Sequence, residues 1–318
     1  MVVVGAGLAG GLLALALARQ GQGVTLVAPA ACDQLTPTAL SYGGVLGSGG
    51  RRQWQRLQAS HGALGWSRCG LRRHGGRWPQ QALTWPFSRV DAPSLQAALP
   101  GAWAAAGVRR LEARVLELGP TGGRPGWRLR LDAAPVTLDA DQVVLAAGAA
   151  SGALWPALNT RLRTSWAGVL TLADVQGPSP WLAQVRRGRL VLPHRFGRAG
   201  LERSGAAGDW CVDAGLAPWG RGAVLGQVSW LPAAPDQSPP AWLEQRLRQG
   251  LAELDPALGR MEAPFQLVPV SFCRDGQPWL GPVPGAAGLW ACCGFSGPFG
   301  NLPAAVERLA AIIDQHST

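Results

Sequence analysis

Gly5-Ala6-Gly7-Leu8-Ala9-Gly10 is the first stretch of the chain whose residue types and spacing could do chemistry. It stands between Val2-Val3-Val4, a β-branched run of the kind found in the middle of a parallel sheet, and a helical Ala/Leu-rich pattern from Leu8 to Arg19. Gly21 and Gly23 stop that pattern, and Val24 to Val27 make a second apolar strand. In a strand, glycine loop, helix, strand unit the glycines have separate tasks. Gly5 permits the tight turn, Gly7 lets backbone approach a pyrophosphate, and Gly10 lets the helix pack on the strand. The helix N-terminus offers unpaired N–H groups and about half a positive charge to phosphates. The chemistry implied is dinucleotide binding. An acid is expected at the end of the second strand to receive the ribose hydroxyls, yet Ala28 followed by Pro29 stands there, with Asp33 the next carboxylate. A charge-assisted hydrogen bond of that kind contributes roughly 1.5 to 3 kcal/mol. Its absence counts against a nicotinamide dinucleotide, held by few other contacts, and leaves FAD, which a larger site grips along its whole length.

Other chemistries are bounded by what the chain lacks. All 29 basic residues are arginine, so there is no Schiff-base lysine and no P-loop lysine. Cysteines 32, 69, 211, 273, 292 and 293 show neither zinc nor dithiol spacing; they read as reduced thiols, and no metal site is expected. A net charge of +10 would ordinarily point to nucleic acid. The arginines, however, are scattered in pairs such as Arg51-Arg52 and Arg109-Arg110, a bias that a GC-rich genome also produces. Nucleic acid is therefore not the expected partner, though the charge keeps that alternative open. The apolar run from Leu8 to Ala18 lacks a positive flank and a cleavage site and is too short to span a bilayer. The expectation is a folded, cytoplasmic protein with no membrane partner.

The elements that must position these residues alternate along the chain. Residues 51–87 are rich in Arg, Trp and Gly with short strand-like pieces, and Ser94 to Ala106 reads as a helix. Val108 to Leu118 reads as mostly strand, WRLRLDAAPVTLDA as a hairpin, and Val143 to Leu145 as a buried strand running into Ala146-Ala147-Gly148, where small side chains allow close backbone approach. From about 160 to 265, strand-like runs (WAGVLTLAD, RLVLPHRF, AVLGQVSWL) are separated by Gly/Pro-rich turns and interrupted by one helix, Pro240 to Leu254. Fifteen tryptophans there and elsewhere read mainly as core aromatics. Leu289 to Cys292 is a strand, Gly294 to Pro303 a glycine loop, and Pro303 to Ile313 an amphipathic helix with proline in its first turn.

Three separated pieces, GAGLAG, VVLAAGAAS, and DGQPWLGP followed by GFSGPFGNLP, together resemble the D-amino-acid oxidase superfamily of FAD enzymes, most closely its glycine oxidase and sarcosine oxidase branch. RVDAPSLQAAL and ALSYGGVL extend the resemblance over nearly the whole chain, with residues 160–265 matching in texture. It implies an α/β fold: an FAD-binding Rossmann-like domain assembled from residues 1–50, 88–160 and 266–318, and a second, mainly antiparallel β substrate domain from residues 51–87 and 161–265. It implies that Gly5, Gly7, Leu8, Ala9 and Gly10 meet the pyrophosphate and that Ala28 lies at the ribose. Ser41, Gly43 and Gly44 would lie along the FAD, the Val115 backbone at the adenine, and Ala147 with Gly148 on the phosphate-ribitol side. Gly294, Phe295, Gly297, Gly300, Asn301 and Leu302 resemble the loop beside the isoalloxazine ring, where the positive end of the last helix favours the charge gained on reduction.

The departures matter as much. Phe295 stands where many relatives have histidine, and Val270 where amino-acid-oxidising relatives place the arginine that clamps a substrate carboxylate. Arg274 neighbours the motif's Asp275, but adjacent strand residues face opposite ways. Cys273 is wrongly spaced for covalent attachment, so FAD is expected to be non-covalent. Substrate-site candidates are Tyr42, Arg51, Arg52, Arg274 and Trp230, with His194 behind them; a loop tyrosine more often packs than binds, and a lone histidine is more often satisfied than reactive. The function implied is an FAD-dependent oxidoreductase that takes hydride from a carbon next to an amine. Its partners would be a small-molecule amine (an amino acid or secondary amine) and O2 or another electron acceptor. The alternatives are oxidation of a modified tRNA nucleoside side chain and, given Ala28 and Val270, a non-catalytic flavin-binding protein.

Overall fold

Short β-branched strands and alternating strands sort into separate sheets. The computed structural model describes residues 1–30, 41–76, 83–123 and 125–316; Cys32 and Asp33 lie outside the described residues. In chain order the elements are β1 (Val2–Val4), α1 (Leu8–Arg19), β2 (Thr25–Ala28), α2 (Gly47–His61), β3 (Trp66–His74), β4 (Thr84–Val90), α3 (Ala92–Ala105), β5 (Arg109–Glu112), β6 (Val115–Pro120), β7 (Trp127–Leu131) and β8 (Thr137–Ala140). They continue as β9 (Val143–Leu145), α4 (Ser151–Leu154), β10 (Leu162–Leu172), α5 (Pro180–Arg186), β11 (Leu190–Pro193), α6 (Arg198–Ser204), β12 (Trp210–Trp219) and β13 (Gly222–Trp230). The last are α7 (Leu243–Leu254), α8 (Pro256–Gly259), β14 (Phe265–Cys273), β15 (Trp279–Pro282), β16 (Leu289–Cys293) and α9 (Leu302–Gln315). The chain divides into two compact units, one of Met1–Leu35, Ala98–Arg163 and Ser271–Thr318, the other of Thr36–Ala97 and Thr164–Val270. Residues 41–50, 88–97 and 266–270, expected with the first, fall in the second, and residues 161–163, expected with the second, fall in the first.

The first unit is built on a six-stranded sheet of order β15-β16-β9-β1-β2-β5. All neighbours pair in parallel except β15 with β16. β1 and β9 contain no polar residue and are buried along their length, as strands covered on both faces require. Trp127, Leu129 and Leu131 of the small antiparallel sheet β6-β7-β8 pack with Val2, Val4, Val27, Leu145 and Leu289 in one apolar cluster. α1 is apolar nearly all round and correspondingly buried. It packs with α9, and the Trp103 indole N–H donates to its Gly11 carbonyl at 3.0 Å. A Cβ on Gly11 would lie 2.8 Å from that ring, which explains a second glycine beside Gly10. The strand expected over Val108 to Leu118 is two strands in different sheets. They break at Ala113–Arg114, where the Arg114 N–H donates to the Asp132 carboxylate at 2.7 Å.

The second unit carries a seven-stranded sheet of order β14-β10-β13-β12-β11-β3-β4, antiparallel at four of its junctions and parallel where β11 meets β3. Leu243, Leu247 and Leu251, one helical turn apart, seat α7 on Leu225, Val228 and Trp230. Additional helices correct the sequence-based expectation. α2 occupies the start of what read as strand-like pieces, and α5, α6 and the short α8 join the single helix expected between 160 and 265. Gly50, Trp54 and Leu57 form the buried face of α2, a helical spacing obscured by the glycines before it. Among the described residues no helix is long and apolar enough to cross a membrane.

Candidate functional site

Because β16, β9, β1, β2 and β5 run parallel, the segments that follow them leave from one edge of the first unit's sheet. Open α/β sheets bind ligands outside that carboxyl edge. After β1 the chain turns at Gly5 (φ +105°), whose N–H donates to the Val27 carbonyl at 2.8 Å. A Cβ there would lie 2.5 Å from the Ala146 carbonyl oxygen and 2.8 Å from Ala147 Cα, so the loop after β1 lies directly against the Ala146–Ala147 segment after β9. At Gly10 a Cβ would overlap the Gly5 carbonyl oxygen and come within 3.1 Å of the Ala146 methyl. Gly7 is different, because a Cβ there would meet no atom within 4 Å. It stands at the N-cap of α1, which has no side-chain cap and no acid in its first turn. The unpaired N–H groups at the start of that helix, including those of Leu8, Ala9 and Gly10, suit an anion. Gly148 (φ +58°) is also open on its Cβ side. Ala28, buried at the end of β2, presents only a methyl group.

The segment after β16 divides by task. Gly294 (φ +77°) is a packing position, since a Cβ would lie 2.5 Å from the Cys273 sulfur, and its carbonyl accepts the Cys273 N–H at 3.2 Å. Leu302 is fully buried. Gly297 (φ +63°) is exposed and open on its Cβ side, Asn301 is exposed at the start of α9, and Phe295 and Gly300 are half-buried. α9 has no side-chain cap, no acid in its first turn, and Pro303 among its first residues, where the missing proline N–H costs nothing.

A family model described as FAD dependent oxidoreductase, the DAO family, matches residues 77–311. The chain belongs to that family. In fold this DAO-family chain is similar to glycine oxidase from Geobacillus kaustophilus, with a TM-score of 0.69 and 18% identity over 99% of this chain and 94% of that one. It is similar to iminodiacetate oxidase from Chelativorans sp. BNC1 (TM-score 0.70, 18% identity, 99% and 95% covered). It is similar also to L-proline dehydrogenase from P. horikoshii (TM-score 0.65, 13% identity, 100% and 93% covered). No curated protein matches it by sequence. The expected family and fold class, α/β with a Rossmann-like part and a mainly antiparallel second sheet, are therefore those of the molecule.

Of the remaining candidates in this DAO-family chain, Val115 and Arg274 belong to the first unit and Ser41, Tyr42, Gly43, Gly44, Arg51, Arg52, His194 and Trp230 to the second. The two glycines are required beside β4: a Cβ on Gly43 (φ +69°) would overlap the Val90 carbonyl oxygen, and one on Gly44 would lie 3.2 Å from the Phe87 ring. Tyr42 donates its hydroxyl to the Asp213 carbonyl at 2.9 Å. Burial, and then the Asp213 charge, pushes its phenol well above the ordinary value. Trp230 is a buried member of the apolar cluster under α7. His194 is exposed; its N–H donates to the His74 carbonyl at 2.9 Å and its own carbonyl accepts Arg73. Arg51 and Arg52 are exposed on α2, and Arg274 is exposed in the turn after β14 rather than on a strand.

In that turn the Asp275 carboxylate accepts the Gln277 N–H at 3.0 Å and pairs with Arg161 at 2.8 Å. These two contacts, the backbone one first, hold it below its ordinary value. Arg161 also lies over the Trp279 ring, 5.2 Å from its centroid. The aspartate of DGQP is thus a turn and ion-pair residue. Sequence reasoning missed Asp213, a buried carboxylate that accepts the Gly197 and Arg198 N–H groups at 2.6 and 3.0 Å; nothing in its local sequence signals this. Among the described residues no group of His, Cys, Asp and Glu could hold a metal ion.

Proposed function

We propose that this FAD-dependent oxidoreductase acts on C–N bonds of small amines or amino acids, and that its FAD is held non-covalently at the carboxyl edge of the first unit's sheet. The observation that carries the reading is the loop Gly5–Gly10 lying against Ala146–Ala147 with open ground above Gly7 and Gly148. Those residues fit the cofactor: the start of α1, with no side-chain cap and no acid in its first turn, takes the pyrophosphate, and a Cβ at Gly7 or Gly148 would meet no atom within 4 Å. FAD, when bound, supplies the acceptor for a hydride from the carbon next to the amine. The chain's part is to bind and orient. Phe295, Gly297, Gly300 and Asn301 line the start of α9, whose uncapped, acid-free N-terminus favours a neighbouring group that gains negative charge. Burial pushes the Cys273 thiol up, which keeps it protonated, a poor nucleophile, and supports non-covalent attachment. The glycine oxidase, iminodiacetate oxidase and proline dehydrogenase neighbours support an amine or amino acid as substrate.

Purified protein should be yellow and should release FAD on denaturation. Anaerobic mixing with a panel of amines and amino acids should bleach the flavin with at least one of them, and oxygen uptake during turnover separates an oxidase from a dehydrogenase. Colourless protein that takes up no FAD overturns the reading; a flavin that no amine bleaches leaves a flavin-binding protein. A second reading, action on a modified nucleoside side chain, is favoured by charge: 18 of the 29 arginines but only ten of the 19 acids fall in the second unit. It requires tRNA binding that weakens steeply with salt. Lack of binding at low salt removes it.

A further inference from the structure

Ala28 leaves the end of β2 without the carboxylate that a ribose needs, and the strand beside it ends on one. β5 pairs in parallel with β2 in the register Thr25↔Arg109, Leu26↔Arg110, Val27↔Leu111 and Ala28↔Glu112. The Ala113 N–H donates to the Ala28 carbonyl at 3.0 Å, so the pairing holds to the tip. Registered residues of a parallel pair project to the same face, and successive residues alternate. Val27 and Leu111 both join the apolar cluster on one face, which puts Ala28 and Glu112 together on the other. Neighbouring strands lie about 4.8 Å apart, a distance a glutamate side chain can cross. Ala28 offers only a methyl in the way. Glu112 has a side chain 56% exposed, and its ion pair is with Arg110 at 2.9 Å, two residues back on the same face of the strand. A surface pair of this kind is worth little and is readily exchanged for a better partner.

We propose that Glu112 replaces the missing acid of β2 and accepts the hydroxyls of the adenosine ribose of FAD across Ala28. The proposal rests on the reading that this edge holds FAD. It explains the alanine: a carboxylate at both registered positions would set like charges side by side, and a larger residue at 28 would block the reach of Glu112. It also alters the expectation for Ala28→Glu, which on sequence grounds alone should tighten binding. With Glu112 beside it, the new carboxylate gains nothing, and it becomes useful only once Glu112→Gln has removed the neighbouring charge.

The test is titration of apo-protein with FAD and with the FAD analogue whose adenosine ribose lacks its 2′-hydroxyl, read by flavin fluorescence. Wild type should favour FAD over the analogue by roughly tenfold or more, the worth of one hydrogen bond to a charged group. Glu112→Gln should weaken FAD by roughly ten- to a hundredfold and bind the two flavins alike. Ala28→Glu in the Glu112→Gln background should restore the preference. A Glu112→Gln protein that keeps wild-type FAD affinity, or that weakens both flavins equally while still discriminating between them, overturns the assignment. Wild-type protein that binds no FAD at all overturns instead the reading on which the assignment rests.

Discussion

Gly7 and Gly10 stand three residues apart in one motif and should fail in different ways. A Cβ at position 10 meets the Gly5 carbonyl oxygen, which is backbone and cannot swing aside, so Gly10→Ala should cost about 1 to 3 kcal/mol of stability. At position 7 the Cβ meets nothing within 4 Å, so Gly7→Ala should change apo-protein stability by less than about 1 kcal/mol. If the pyrophosphate is held at the start of α1, as proposed, the same methyl stands in its approach, and FAD affinity should fall by roughly tenfold or more. Urea unfolding of the apo-protein together with FAD titration separates the two. Equal stability losses, or a Gly7→Ala protein with undiminished affinity, contradict the division of labour. The turn at Gly5 and the close packing at Gly10 were legible in sequence because each follows from its place between a strand and a helix. Gly43 and Gly44 were not legible in the same way. Their requirement for glycine comes from Val90 and Phe87, residues more than forty positions later that no local pattern could bring alongside.

RVDAPSLQAAL, visible in sequence as a family-like segment, has a specific physical content at the level of the element. Asp91 precedes α3 and accepts the Ser94 N–H at 3.1 Å and its hydroxyl at 2.6 Å, an N-cap three residues before the group it satisfies. The same carboxylate takes Arg89 at 2.7 Å and the Gly220 N–H at 3.1 Å. Burial pushes its pKa up, yet the Ser94 and Arg89 hydrogen bonds outweigh that and hold it below the ordinary value. A depressed carboxylate stabilises the fold fully above its unfolded pKa, about 3.9, and loses that contribution as pH falls through its folded value. Asp91→Ala should therefore cost about 3 kcal/mol near neutrality, because it also strands the largely buried Arg89. Asp91→Asn should cost less, since asparagine still caps. Unfolding curves of wild type and Asp91→Ala should stand apart near neutrality and draw together well below pH 3; a stability gap as large in acid as at neutrality contradicts the linkage. Elsewhere the legible elements were those whose pattern is complete within themselves, such as α1 and the β7–β8 hairpin. The β5–β6 break was hidden because Arg-Leu-Glu-Ala-Arg-Val keeps alternating while the chain changes sheets, a choice made by the Asp132 carboxylate rather than by the strand. That hidden break is also what places Glu112 at a strand end beside Ala28.

The whole molecule is two units woven from alternating segments, and three stretches far apart in sequence, ending in β2, β9 and β16, complete one sheet edge in the first. The sequence showed those stretches as separate motifs; their convergence follows from parallel pairing, which no single motif contains. Charge is shared unevenly, since eight of the ten net positive charges belong to the second unit, where α2 alone exposes Arg51, Arg52 and Arg56 and contains no acid. A dinucleotide held by the first unit should stabilise that unit specifically. Ligand present at a hundred times its Kd, binding the folded state alone, contributes about 2.7 kcal/mol. For a unit of about 150 residues, each kcal/mol is worth about 2 to 4 °C, so its melting should rise by roughly 5 to 10 °C. Trp127 and Trp279, whose rings pack in the first unit's core, report that transition, and Trp54 and Trp230 report the second. Single-tryptophan reporters followed during thermal unfolding should show the first unit's transition move with FAD by the larger amount. A shift confined to the second unit's reporters places the cofactor away from the edge formed by β1, β2, β9 and β16.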